Sequence, residues 1–122
     1  MILFDTNMIL RYLLNDSKEM AETAEQYIDT GDAAVTIEVI AEATYVLKGV
    51  YAMEHDLIAE TLKSFLQLVD CEDKDVLNAA LDTYGAKPLD FVDCVLYGYH
   101  AVRGTEIATF DQKLLKLLNG DT

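Results

Sequence analysis

Short strand-like runs at Ile2–Asp5, Ala33–Thr36, Val69–Cys71 and Glu106–Thr109 are separated by single helices or helix pairs. This alternation constrains the fold more than any other feature. Strands joined through helices run mostly parallel, and the helices then cover both faces of their sheet. The spacing predicts helices over Thr6–Leu14, from a Ser17 cap to about Thr30, after a Thr36 cap, over Asp56–Val69, over Asp75–Tyr84, from Asp90 to Val102, and over Gln112–Leu118. The expected inward faces are Ile9, Leu10, Leu13 and Leu14; then Met20, Ala24, Tyr27 and Ile28; then Ile40, Ala43, Thr44 and Leu47; then Ile58, Leu62, Phe65, Leu66 and Val69. Gly31, Gly49, Gly85, Gly104 and Gly120 each follow a helical stretch, where a left-handed residue closes a helix. Gly98 instead lies inside the apolar run Phe91–Val102. It is expected to let two backbones approach, at a helix cost of about 1 kcal/mol relative to alanine.

In a sheet of this kind ligands bind outside the carboxyl ends of the strands. Asp5 ends the first strand, and Asp111 follows the last one in IATFDQKL. Each also has a plain role as a helix N-cap, since a helix follows both. Glu42 lies in EVIAEATYVLKGVY with Val39 and Val46 on its helical face. A carboxylate buried there needs a cation or an arginine, unless the face is less buried than the pattern implies. Asp93 is the only acid from Phe91 through Val102. It either reaches back to an Asp90 cap, for which Asp is short, or points to a ligand. Most other acids, among them Glu19, Glu22 and Glu25, recur at three-residue spacing on one face and are expected in solvent. Four inward carboxylates at one sheet edge would need a hard divalent cation, magnesium or manganese. His55 and His100 are isolated, and there is no Cys nucleophile, GxSxG elbow or phosphate-cradling glycine loop.

The 122 residues suit one domain spanning 1–122. With 22 Asp and Glu against 9 Lys and Arg, the net charge of −13 argues against wrapping duplex nucleic acid and suits a basic partner or divalent cations. No apolar stretch approaches the roughly 18 residues of a membrane span, and no secretory signal is read at Met1, so a cytoplasmic location is expected. Cys71 and Cys94 form no CxxC pair and are expected to be reduced.

The stretches FDTN, IAEATYVL, LDFVDCVL and ATFDQKL, in this order and over essentially the whole chain, resemble a PIN domain of the VapC toxin type. The resemblance implies a three-layer α/β/α sandwich with a short, mostly parallel central sheet of four to five strands. It implies a metal-dependent endoribonuclease, using Mg2+ or Mn2+, with Asp5, Glu42, Asp93 and Asp111 as the acidic quartet. Asp5, Asp93 and Asp111 would hold the metal, and Glu42 would bind through water or orient the nucleophile. Thr6, Asn7 and Thr109 match supporting polar positions. A homodimer and a cognate antitoxin that folds onto the site are also implied, and the acidic surface suits an antitoxin with a basic segment. The charge is the departure. Positive surface for RNA near the quartet comes down to Arg11, Lys113 and Lys116, with Lys48 and Lys87 as the other neighbours in sequence.

Three rivals stand beside this reading. Phosphatases of the haloacid dehalogenase type carry a second Asp two residues after the first, where this chain has Asn7. A PIN-fold protein outside a toxin–antitoxin pair would be either a housekeeping RNA-processing nuclease or an inactive binding module.

Overall fold

The computed structural model describes residues 1–120; Asp121 and Thr122, the end of the domain expected over 1–122, lie outside the described residues. Strands β1 (Ile2–Leu3) and β2 (Ala33–Ala34) pair in parallel, with Ile2 opposite Ala33 and Leu3 opposite Ala34. Helices α1 (Thr6–Leu14) and α2 (Lys18–Asp29) carry the chain between them. Then follow α3 (Ile37–Gly49), α4 (His55–Leu66), α5 (Lys74–Ala86), α6 (Phe91–Arg103) and α7 (Gln112–Leu118).

The expected strand at Val69–Cys71 reduces to one parallel bridge from Asp70 to Ala34. It is held by Val35 N–H donating to the Asp70 carbonyl at 2.8 Å and Asp70 N–H donating to the Ala33 carbonyl at 2.9 Å. The strand expected over Glu106–Thr109 does not form, so among the described residues the sheet has two strands rather than four to five. The physical reason lies in its side chains. From Gly104 to Asp111 only Ile107 and Thr109 are even half-buried, and Phe110 is 99% exposed. Such a segment removes little apolar area from water to offset the entropy of ordering it. The known edge of β1 is the one facing β2, where Ile2 N–H donates to the Asp32 carbonyl at 2.7 Å and Phe4 N–H to that of Ala34 at 2.9 Å.

Helices therefore build most of the core. Ile40, Ala43, Thr44 and Leu47 of α3 are buried, as are Ile58, Leu62, Phe65 and Leu66 of α4, as their spacing predicts; α4 stops at Leu66, short of the Val69 expected to end it, and Val69 is buried beyond the helix. Val76, Leu77, Ala80 and Leu81 of α5 meet Phe91, Cys94 and Val95 of α6 in the same cluster. Gly98 sits at that crossing: a Cβ there would lie 2.8 Å from the Val76 carbonyl oxygen. On α2 the expected inward face is only half realised. Ala24 is buried, Ile28 packs on the core and Tyr27, 38% exposed, meets Phe4 edge-on at 6.3 Å, but Met20 is 51% exposed, and the fully buried residues of α2 are the small Ala21 and Ala24.

Caps behave as their residue types dictate. Ser17 and Thr36 each accept the N–H three residues on, from Met20 and Val39, at 3.4 Å. Gly31, Gly104 and Gly120 have positive φ, whereas Gly49 and Gly85 lie within α3 and α5 without it. Instead α1 closes on Asn15, at φ 50° and ψ 37°. Among the described residues no helix is long and apolar enough to cross a membrane.

Candidate active site

Asp5 follows directly on the β1 hydrogen bonds. Its backbone is extended and its Oδ1 accepts from Met8 N–H at 2.8 Å, capping α1. Asp111 does the same for α7: Oδ1 accepts from Leu114 N–H at 2.8 Å, and its own N–H donates to Thr109 Oγ1 at 3.0 Å. The plain capping role is thus real at both positions. It engages one carboxylate oxygen of each and fixes the side chain, leaving the second oxygen without a hydrogen bond among the described residues. A cap and a ligand are compatible roles for one aspartate.

Asp93, in the first turn of α6, is half-buried. The capping box that competed for it is not formed: the Asp90 side chain makes no cap hydrogen bond, and no bond joins the Asp93 carboxylate to the Asp90 N–H. Burial pushes the Asp93 carboxyl above its ordinary pKa, and the charges of Asp111 and then Asp90 push it further the same way. Among the described residues no basic group offsets them. Asp93 and Asp111 therefore share one electrostatic field although 18 residues separate them in sequence, as 111 − 93 gives.

Glu42 behaves differently. It is exposed on α3, between the half-buried Val39 and Val46, and has no ion-pair partner among the described residues. The stripe Val39–Glu42–Val46 lies at the border of the buried face, so the face is less buried than its pattern implies. Helix α1 packs on α3, α3 on α6 and α6 on α7, so the four acids ride on successive neighbours. Yet among the described residues no three His, Cys, Asp or Glu side chains come together closely enough to hold one ion. What the donors present do fit is a hard, oxygen-seeking cation bound through one or two carboxylates with water completing its shell, as Mg2+ is commonly held. Asp93 and Asp111, whose charges act on one another, are the two carboxylates that would hold it.

The supporting residues divide. Thr6 is buried at 7% exposure, Thr109 is half-buried and holds the Asp111 backbone, and Asn7 is exposed. Lys113 and Lys116 are exposed on α7 without ion-pair partners among the described residues, and Lys48 lies near Lys87 in a groove beside His55. Arg11 is occupied: Nη1 pairs with Asp16 at 2.6 Å and Nη2 lies 3.4 Å from the Tyr51 hydroxyl.

Two cavities adjoin the sheet. One, of about 400 Å3 between α1 and α2, is lined by Asp5, Asn7, Arg11, Glu19, Met20 and Thr23 among others. Glu19 is exposed, on the solvated face that its spacing predicts, and lines this cavity from there; Met20, expected in the core, is 51% exposed. No periodicity marks a cavity lined by two helices together. The other, of about 520 Å3, has Leu3, Val35 and Tyr99 with Glu38, Asp70 and Asp73 at its walls and contains none of the quartet. Tyr99 donates its hydroxyl to Asp73 there at 3.1 Å.

A protein-family model described as PIN domain matches residues 2–118. No curated protein and no solved structure matches the chain.

Proposed function

The chain belongs to the PIN domain family, an α/β family whose members are generally nucleases, and on that premise we propose that it is a metal-dependent endoribonuclease and the toxin of a VapBC-type toxin–antitoxin pair. One observation carries the reading: the half-buried Asp93 carboxyl is held above its ordinary pKa beside Asp111 and Asp90, with no basic group to relieve it. A divalent cation would reverse that penalty by favouring both ionised forms. Asp93 and Asp111 would hold Mg2+ or Mn2+, the unengaged oxygen of Asp5 would complete the acidic side, and Glu42 would act through water. Such a cation supplies an acidified water and charge stabilisation on the phosphoryl oxygens.

The protein's own residues do the positioning. The Met8 and Leu114 N–H groups hold the Asp5 and Asp111 carboxylates in place, and Thr109 holds the Asp111 backbone. The exposed Glu42 is free to accept a proton from the attacking water. Lys113 and Lys116, within five residues of Asp111, offer positive charge to the RNA backbone in a chain of net charge −13. Single-stranded or looped RNA suits such a site better than a stacked duplex. The acidic surface suits a cognate antitoxin with a basic segment that blocks the acids. We place the protein in the cytoplasm as a homodimer.

Incubating the protein with single-stranded and looped RNA tests the reading. Cleavage with Mg2+, its loss with chelator and its loss in Asp93→Asn are expected. Equal cleavage by Asp93→Asn, or none with any divalent metal, overturns it. The toxin role predicts growth arrest on expression, relieved by co-expressing a small neighbouring gene product with a basic tail. Cleavage without arrest points to a housekeeping nuclease. The exposure of Glu42, and the lack of three converging acids among the described residues, favour one second reading, a module that binds RNA or a partner without cutting; RNA bound but intact would be its signature.

A further inference from the structure

Asp5 is the one residue shared by the acidic quartet and the cavity between α1 and α2. At about 400 Å3 that cavity lies in the lower part of the roughly 300–1,000 Å3 range of small-molecule sites, room for a single nucleoside. Its charge excludes phosphate. Asp5 and Glu19 are both carboxylates, and the guanidinium of Arg11 is already committed to Asp16 and Tyr51. A ligand that presents hydrogen-bond donors is what such walls accept, and in an RNA substrate those donors belong to the bases. Glu19 has no ion-pair partner among the described residues, although its neighbour Glu22 lies 4.0 Å from Lys18. The Asn7 side-chain amide is likewise exposed and free of hydrogen bonds among the described residues. Met20, left half out of the core, supplies a polarizable apolar wall of the kind that packs on aromatic faces.

We propose that this cavity is a base-reading subsite that seats one guanine of the RNA beside Asp5, with the Glu19 carboxylate accepting from the base. The inference rests on the nuclease reading and names what that nuclease selects. Guanine is singled out by its edge. N1–H and the N2 amino group lie side by side as donors and match the two oxygens of one carboxylate. Adenine and cytosine set a ring-nitrogen acceptor beside their single amino group, and uracil flanks its one N–H with two carbonyls. Each of these turns a lone pair towards the second oxygen of Glu19. Unstacked bases in single-stranded RNA are read on this Watson–Crick edge. The Asn7 amide can donate to guanine O6 or N7.

The test uses single-stranded oligonucleotides identical except at one position, which carries guanosine, inosine, adenosine, cytidine or uridine. With Mg2+, cleavage beside guanosine is expected to be roughly tenfold or more faster than beside adenosine, cytidine or uridine, with inosine, which lacks the N2 amino group, between them. Glu19→Gln, a surface change on α2, is expected to cut all five at a similar rate. No preference for guanosine, or a preference unchanged in Glu19→Gln, overturns the proposal. A second measurement does not depend on cleavage: nuclear magnetic resonance titration of the full chain in chelator with guanosine and adenosine, neither of which carries a phosphate. Shifts at Asn7, Glu19 and Thr23 with guanosine alone support the subsite, even where no oligonucleotide is cut and the nuclease reading fails. Absence of those shifts overturns it, even where RNA is cleaved.

Discussion

Replacing Gly98 by alanine pits helix propensity against packing, and the structure says which wins. A Cβ at this position would stand 2.8 Å from the Val76 carbonyl oxygen, 3.3 Å from Val76 Cγ1 and 3.5 Å from Ala80 N. The first of these atoms is helix backbone and cannot swing aside, so α6 must move off α5. That motion opens the contacts that Phe91, Cys94 and Val95 make with the α5 face. Overpacking of this kind costs about 1–3 kcal/mol, and a backbone clash belongs at the upper end. Alanine recovers about 1 kcal/mol of helix propensity, leaving a net loss of about 2 kcal/mol. For a domain of this size that lowers Tm by on the order of 8 °C. Gly49 provides the control: it is also helical, lacks positive φ, and would place its Cβ in open space. Gly49→Ala is therefore expected to stabilise by roughly 0.5–1 kcal/mol. Urea melts followed by far-ultraviolet circular dichroism, in chelator, measure both. A Gly98→Ala protein as stable as wild type, or two alanine variants shifted in the same direction, would refute the claim that Gly98 sets the α5–α6 distance.

Three other outcomes are expected. Asp5→Ala should lose about 1 kcal/mol of stability with its cap, whereas Asp5→Asn keeps the cap; both should lose cleavage, which denaturation and an RNA assay measure separately. Equal destabilisation in the two would assign the role of Asp5 in folding to its charge. Asp93 holds its proton to a higher pH when folded than when unfolded, so its penalty is absent below the ordinary carboxylate range and fully present above the raised folded value. In chelator, Asp93→Asn should thus raise Tm near neutral pH and leave it unchanged at about pH 3, below the usual Asp range; added Mg2+ should raise the wild-type Tm and not that of Asp93→Asn. Phe110→Ser should move stability by less than about 0.5 kcal/mol, because Phe110 is 99% exposed; a larger loss would mean that the ring is covered in solution.

Much of the local structure was legible in advance. The bounds Thr6–Leu14 and Gln112–Leu118 emerge as the caps and spacing predict, and so do the Ser17 and Thr36 caps. These are short-range matters: a side-chain oxygen meets an N–H three residues on, and an apolar stripe recurs each turn. Glu42 shows where such reasoning stops. Periodicity fixed the side of α3 on which it lies, but how far the buried face extends depends on which helices dock there. Met20 fails for the same reason, since nothing in its own helix reveals that its side chain lines a cavity with residues of α1.

The strand expected over Glu106–Thr109 failed for a different reason. Pairing is a property of two segments, and a short run containing Glu and Ala removes too little apolar area to hold an edge position. By itself the sequence determined most of the helices and caps, the close approach at Gly98 and three acids near element ends, Asp5, Asp93 and Asp111, since each follows from chemistry within a few residues. Only the tertiary structure decided that Asp93 and Asp111 share a field, that Glu42 faces water and that Glu19 lines a cavity with Asp5. Those are relations between segments distant in the chain, and the physical reason is that burial and charge act through space rather than along sequence.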